Sequence, residues 1–134
     1  MNDAPDGHDE RERNRQTVAR FFELGITDER RALYADDGVK ELVNFGLRWS
    51  SPEALRAGDE RNAALCPDWH HKDARVWPTD DPRVFWVEAS GEGHRSFGGA
   101  DPQLTHSDYV FRIELDGGKI VRLREWKTIY QTPQ

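Results

Sequence analysis

Strand-like segments fill the second half of this chain, and they limit the fold more than any other feature. Apolar and polar residues alternate with the two-residue period of a half-buried β-strand. The pattern covers residues 72–77, 83–91, 104–115 and 119–130. The last two segments are joined by Asp116-Gly117-Gly118, which is typical of a hairpin turn. We therefore predict an antiparallel meander at the back of the chain.

The first half carries helix signals instead. Residues 10–24 place apolar side chains near one helix face. Thr27 stands before two acids and suits the N-cap of a short helix that continues to Ala35. Ser51 suits the N-cap of a third helix, because the proline after it suits the first helical position, and this helix stops before Pro67. Helices at the front and a meander at the back indicate an α+β fold.

Several stretches fit neither pattern. Residues 1–9 are polar and contain glycine and proline, so we predict a disordered tail, followed by a single domain over residues 10–134. The Asp36-Asp37-Gly38 run predicts a turn before a short strand over residues 39–44. Residues 94–103 are glycine-rich and predict a loop.

Composition excludes several classes of protein. The formal net charge of −6 argues against nucleic acid or an anionic membrane surface as the main partner. No apolar run is long enough to span a bilayer, and the first residues lack the basic and apolar regions of a secretory signal. Cys66 is the single cysteine, which excludes an intramolecular disulfide. We therefore expect a cytoplasmic protein.

One acid interrupts the apolar face of the last predicted strand. Val121, Leu123, Glu125 and Ile129 share one side of this strand if it is regular. A charged carboxylate is costly on an apolar face unless it is paired. Such surroundings favour the protonated form of a carboxyl group, which suits proton transfer. The alternatives are an ion pair or a position at the sheet edge, and the spacing alone leaves them open.

Other reactive side chains give weaker signals. Four histidines, at positions 70, 71, 94 and 106, could suggest zinc, but they lack the paired spacing of a metal site. The sequence has no phosphate-binding loop, dinucleotide fingerprint or nucleophile elbow, so we predict neither a metal nor an organic cofactor. Arg30-Arg31 is surface charge or, alternatively, holds an arginine that anchors an acidic ligand.

Three blocks of the sequence resemble the phenazine biosynthesis A/B family of the nuclear transport factor 2-like, SnoaL-like superfamily. The first block joins N-R-Q-T-V-A-R-F-F at residues 14–22 to E-R-R-A-L-Y-A-D-D-G at residues 29–38. The second joins C-P-D-W at residues 66–69 to T-D-D-P-R-V-F-W-V-E at residues 79–88. The third is F-R-I-E-L-D-G-G-K-I-V-R-L-R-E-W at residues 111–126.

The resemblance implies a cone of helices wrapped by a curved antiparallel sheet, and a homodimer that associates through the outer sheet face. It also implies an apolar pocket in which the family assists condensation of two aminocyclohexenone carboxylic acids by imine chemistry. The family's catalytic acid falls on Glu125, and its carboxylate-contacting arginine falls on Arg30. Asn62, Trp69 and Asp108 are further predicted substrate-binding residues.

The chain departs from the family at two helix positions. The family's histidine falls on Gly58 and its nearby serine falls on Asn62. Glycine cannot transfer a proton, so we expect little acceleration of the phenazine-type condensation. We also expect a smaller or differently shaped ring compound to occupy the space that Gly58 opens.

These observations predict a protein of secondary metabolism. Its expected task is proton-transfer-assisted condensation, cyclisation or isomerisation of a small cyclic keto acid or ketone. The alternative is a dimer of the same fold that binds a metabolite, or stabilises a partner enzyme, without catalysis. A regulatory dimerisation module is a third hypothesis, although such a module needs no acid on an apolar face.

Overall fold

A computed structural model describes residues 6–99 and 101–129, with side chains from residue 8 onwards. One six-stranded sheet has the strand order β2-β1-β6-β5-β4-β3. Its strands are β1 (Tyr34–Leu42), β2 (Leu47–Trp49), β3 (His70–Pro78), β4 (Val84–Arg95), β5 (Gln103–Asp116) and β6 (Lys119–Lys127). Neighbouring strands are antiparallel except β1 and β6, which are parallel. The meander β3 to β6 is the one that the sequence predicts.

Three α-helices accompany the sheet: α1 (Asp6–Glu23), α2 (Asp28–Arg31) and α3 (Pro52–Leu65). Both predicted N-caps are confirmed. The hydroxyl of Thr27 accepts a hydrogen bond from the backbone N–H of Arg30 at 3.2 Å, and that of Ser51 accepts one from Ala54 at 3.1 Å. The α+β class is confirmed, and α2 and α3 begin where local capping chemistry places them.

Two helix boundaries differ from the prediction. Helix α1 begins at Asp6, so residues 6–9 are helical and only residues 1–5 of the predicted tail lie outside the described residues. Helix α2 ends at Arg31 rather than at Ala35, because the chain from Tyr34 onwards pairs with β6 as a strand.

The predicted turn at residues 36–38 is wrong, since these residues lie within β1. Pairing with β6 shifts between Tyr34, opposite Ile120, and Val39, opposite Arg122, which leaves the acidic residues in a bulge. A Cβ atom at Gly38 would lie 2.9 Å from two backbone carbonyl oxygens. Glycine is therefore needed for the close approach of the two strands.

The core lies between α1 and the inner face of the sheet. Val18 and Phe21 of α1 are buried, and the central strands contribute the largest fully buried side chains. These are Phe85, Val87, Phe111, Ile113, Leu115, Ile120 and Leu123. No α-helix among the described residues is long and apolar enough to cross a membrane.

The residues of β6 that face inward do not follow a strict two-residue alternation. The β5–β6 register shifts between the pairs Leu115–Ile120 and Glu114–Arg122, which marks a bulge at Val121. Ile120 is consequently buried beside Leu123 and Glu125, whereas Val121 is half-buried. The prediction that Ile129 shares this face is wrong, because Ile129 follows the end of the strand and is 69% exposed.

Candidate functional site

A cavity of about 280 Å³ opens between the inner face of the sheet and helices α2 and α3. Aromatic side chains form much of its wall: Phe21, Trp49, Trp69, His71, Tyr109 and Phe111. Five cationic side chains also reach it: Arg30, Lys40, Arg61, Arg95 and Lys127. Glu125 is the one acidic side chain among the described residues that line this space. A mixed aromatic and cationic wall suits a planar ligand that carries negative charge.

Glu125 lines the cavity and is 8% exposed. Its strand partners are Leu42 on β1 and Phe111 on β5, so both neighbours across the sheet are apolar. The carboxylate nevertheless has a cationic neighbour, because the Nζ atom of Lys40 lies 3.8 Å from its Oε1 atom. The ion pair that the sequence left open is therefore present, and it lies inside the cavity.

Arg30 is buried and held from two sides. Its guanidinium carbon lies 4.6 Å from the centre of the Phe21 ring, a cation–π geometry. Its Nη2 atom is 4.0 Å from Oδ1 of Asp59, whose other oxygen accepts a hydrogen bond from Arg31 at 2.7 Å. Arg30 faces the cavity. Its contact with a ligand carboxylate stays a prediction.

Asn62 and Trp69 also line the cavity. The indole of Trp69 contacts Tyr109 edge-on, with ring centres 6.3 Å apart. A Cβ atom at Gly91 would lie 2.5 Å from this indole, so the glycine provides the room in which Trp69 is seated. Both residues are therefore brought together with Glu125 and Arg30, as the sequence predicts.

Asp108 lies elsewhere. It is exposed on the outer face of β5, where its Oδ1 atom accepts a hydrogen bond from Ser90 at 3.2 Å. It lines a shallow outer depression together with Trp126. Strand alternation is the reason, because Tyr109 takes the inward position and its neighbour must point outward. The structure thus does not bring Asp108 together with the other predicted residues.

Five further charged or titratable side chains line the cavity without having been predicted there: Lys40, Arg61, Arg95, Lys127 and His71. Lys40 stands two residues before the buried Leu42, and Lys127 stands two residues after Glu125. Strand periodicity could have identified both lysines as inward-facing. His71 alternates with the exposed His70 at the start of β3. Nothing in its local sequence distinguishes it from a surface histidine.

His71 is a neutral imidazole at physiological pH. Its ring lies edge-on to Phe22, Tyr109 and Phe111, with ring centres 5.3, 5.0 and 5.6 Å away. Burial in these aromatic surroundings lowers the pKa of His71 to about 3, and the nearby charges of Arg30 and Lys40 act in the same direction. A neutral imidazole can donate one hydrogen bond and accept another, so it gives the cavity a polar group without adding charge.

Burial also lowers the pKa of Lys127. Arg95 acts in the same direction, whereas Glu125 opposes it. His70, His94 and His106, which were considered as metal ligands and set aside, do not line this cavity, and His94 contacts Asp68, Nδ1 to Oδ2, at 2.7 Å. No group of three or more His, Cys, Asp or Glu side chains in the described part of the chain could hold a metal ion.

Gly58 lines the cavity, but Trp49 occupies the position directly in front of it. A Cβ atom at Gly58 would lie 2.9 Å from Nε1 of Trp49, so the indole from β2 already fills the volume in front of this glycine. The Nζ atom of Lys40 lies 5.1 Å from the centre of the same indole ring. Trp49 therefore lies between Gly58 of α3 and Lys40 of β1 at this wall.

The family model for phenazine biosynthesis protein A/B matches residues 2–133 of this chain. Phenazine biosynthesis protein PhzB 2 of Pseudomonas aeruginosa is 32% identical over 129 residues, which cover 90% of this chain and 78% of that protein. A crystal structure of a phenazine biosynthesis-related protein from Pseudomonas aeruginosa superposes with a TM-score of 0.83 and 29% identity. The superposition covers 92% of this chain and 84% of the chain in that crystal structure.

The same fold occurs in proteins with much lower sequence identity to this chain. SalBIII, an epoxide hydrolase/cyclase-like enzyme of pyran ring formation in the polyether salinomycin, superposes with a TM-score of 0.77 at 14% identity. This match covers 91% of this chain and 97% of SalBIII, and it shows the shared fold. The predicted nuclear transport factor 2-like, SnoaL-like fold is thus confirmed. The extent of the family match shows that the chain belongs to the phenazine biosynthesis A/B family.

Proposed function

We propose that this chain binds a small cyclic keto acid or ketone in its interior cavity and assists proton transfer during condensation, cyclisation or isomerisation. Glu125 gives or takes the proton, and Arg30 anchors an acidic group of the ligand. The observation that carries the proposal is the placement of one buried carboxylate among cations and aromatic rings in a ligand-sized cavity.

The charge of the wall supports an acidic ligand. Five cationic side chains face one carboxylate, so an anion entering the cavity meets an excess of positive charge. Arg30 is already oriented by Phe21 and Asp59, and a guanidinium group matches a carboxylate through two parallel hydrogen bonds. The volume of about 280 Å³ is at the small end for ligand pockets and favours a single ring.

The contact between Glu125 and Lys40 supports a role for Glu125 as a base. The Nζ atom of Lys40 lies 3.8 Å from the Oε1 atom of Glu125, and a carboxylate can accept a proton from a carbon next to a carbonyl. Asn62 and Trp69 complete the wall and limit the orientations of a ring. The ring-forming role described for SalBIII and the family's place in phenazine biosynthesis support the same class of chemistry.

Hydrogen exchange at carbon tests this proposal directly. We expect the protein to accelerate deuterium uptake next to the carbonyl of 3-oxocyclohexane-1-carboxylate, followed by proton NMR in deuterated water. Glu125→Gln should abolish the acceleration and keep the fold. Glu114→Gln is the matched control, because Glu114 pairs with Arg112 outside the cavity. Exchange that is no faster than in buffer, or that survives in Glu125→Gln, contradicts the proposal.

A metabolite-binding role without turnover is the second proposal, and the packing of Trp49 against Gly58 favours it. A helix side chain that could transfer a proton is missing there, and an indole fills its place. Calorimetry would then show binding of the same keto acid while the exchange rate stays at the buffer value. Accelerated exchange that depends on Glu125 would exclude this role.

A further inference from the structure

Lys40 has the position of a reacting group although it lies on a strand remote in sequence from Glu125. Parallel pairing aligns Leu42 with Glu125 and Lys40 with Leu123, so the lysine side chain reaches the acid diagonally across the inner sheet face. Its Nζ atom is 3.8 Å from Glu125 on one side and 5.1 Å from the Trp49 ring centre on the other. The side chain is 17% exposed, and it lines the cavity.

We infer that Lys40 is a catalytic residue, the cation that stabilises negative charge on the carbonyl oxygen of the ligand while Glu125 removes a proton. This inference rests on the proposed proton-transfer function. The C–H bond next to the carbonyl breaks, and its proton binds the Glu125 carboxylate. The electron pair of that bond forms a carbon–carbon double bond, and the π electrons of the carbonyl move to its oxygen.

The charges balance within this small space. Glu125 loses its negative charge at the moment when the ligand oxygen gains one, so Lys40 exchanges one anionic partner for another. No cation has to enter, and no buried charge is left unpaired. A donor placed in advance where charge develops is usually the largest single contribution to catalysis of this kind.

Arg30 is less suited to this role than Lys40. Asp59 and the Phe21 ring hold its guanidinium group, and no contact joins it to Glu125 in the described structure. Gly58, where the family's second proton-transfer residue falls, offers no side chain. Lys40 thus supplies the second polar group of the reaction site from the opposite wall.

The ionisation of a bound phenol tests this inference without any turnover. Glu125→Gln mimics the protonated acid, and 3-hydroxybenzoate mimics an enol with a nearby carboxylate. In Glu125→Gln we expect the bound phenol to ionise at least about one pH unit below its value in buffer, read from phenolate absorbance. The Glu125→Gln/Lys40→Met variant should bind the phenol in its neutral form, whereas Glu125→Gln/Lys40→Arg should restore the shift.

Lys72 provides the matched control, because it forms a Lys–Glu pair with Glu92 outside the cavity. Glu125→Gln/Lys72→Met should behave as Glu125→Gln alone. An unchanged phenol shift in Glu125→Gln/Lys40→Met overturns the inference, and so does a failure of Glu125→Gln to bind or ionise the phenol.

Hydrogen exchange at the carbon next to the carbonyl distinguishes a failure of this inference from a failure of the proposed function. Lys40→Met should lower kcat for exchange by about a hundredfold or more and change KM little, with Lys72→Met unchanged. If Lys40→Met exchanges as fast as the unmodified protein while Glu125→Gln does not, the role of Lys40 is wrong and that of Glu125 stands. If the unmodified protein accelerates no exchange, the proposed function itself fails.

Discussion

Gly58 of α3 and Trp49 of β2 fit each other as a pair, since a Cβ atom on the glycine would lie 2.9 Å from the indole Nε1 atom. The helix therefore approaches the sheet edge closely at this point. The same indole contacts Lys40, which in turn contacts Glu125. A series of contacts thus runs from Gly58 through Trp49 and Lys40 to Glu125.

Gly58→His should destabilise the protein by about 1–3 kcal/mol, because the new side chain meets a rigid indole. In the Trp49→Ala/Gly58→His variant the loss of stability should be smaller than the sum of the two single losses, because removal of the indole relieves the clash and the histidine fills part of the space that is left. Urea unfolding gives the free energy of unfolding of the single and double variants. Ala57→His, at an exposed position of the same helix, is the control and should change stability by no more than about 0.5 kcal/mol. Strict additivity would contradict the predicted contact.

Arg30→Ala should weaken binding of 3-oxocyclohexane-1-carboxylate by about 1–3 kcal/mol, because a charged hydrogen bond to the carboxylate is lost. Binding of cyclohexanone, which has no carboxylate, should change little. Titration calorimetry with both ligands separates an anchor from a structural residue. Arg56→Ala removes an exposed arginine of α3 outside the cavity and serves as the control. Equal losses for both ligands would contradict the anchor role.

The outer sheet face should form a homodimer interface. Trp77, Trp86 and Val110 are 50%, 39% and 40% exposed there, and Trp86 stacks on Trp126 with ring centres 6.0 Å apart. We expect a dimer in sedimentation experiments at micromolar concentration. Trp86→Glu should give a folded monomer, whereas Leu65→Glu, an exposed apolar position on α3, should stay dimeric. A monomeric unmodified protein would contradict this interface.

Stability should fall on mild acidification because of His71. Its folded-state pKa is lowered to about 3, whereas a histidine in an unfolded chain titrates near 6.5. Between these pH values the unfolded chain binds more protons, so the free energy of unfolding decreases as the pH falls below about 6.5. His71 contributes at most about 1.4 kcal/mol per pH unit.

His71→Phe should flatten this pH dependence, since phenylalanine keeps the aromatic contacts and does not titrate. Urea unfolding at several pH values between 4 and 7 measures the slope, and His70→Phe at the exposed neighbouring position is the control. An identical slope in His71→Phe and the unmodified protein would show that protonation of His71 is not excluded by folding.

Local sequence chemistry determined the α+β class, the starts of α2 and α3 and the meander. Capping at Thr27 and Ser51 depends on residues a few positions apart, and strand alternation placed Glu125 on the inner face. Such features follow from backbone geometry and need no distant partner. The family resemblance added Arg30, which local reasoning left undecided between surface and pocket.

The tertiary structure decided what surrounds Glu125. Lys40 meets it because β1 lies parallel to β6, with a bulge that sets the register, and no local pattern encodes this pairing. Trp49 from β2 lies where a side chain at Gly58 would begin. Both contacts join segments that are distant in the chain, so they depend on how the helices and strands pack. The sequence by itself therefore determined which residue types are present at the site, and only packing decided which charges and rings meet there.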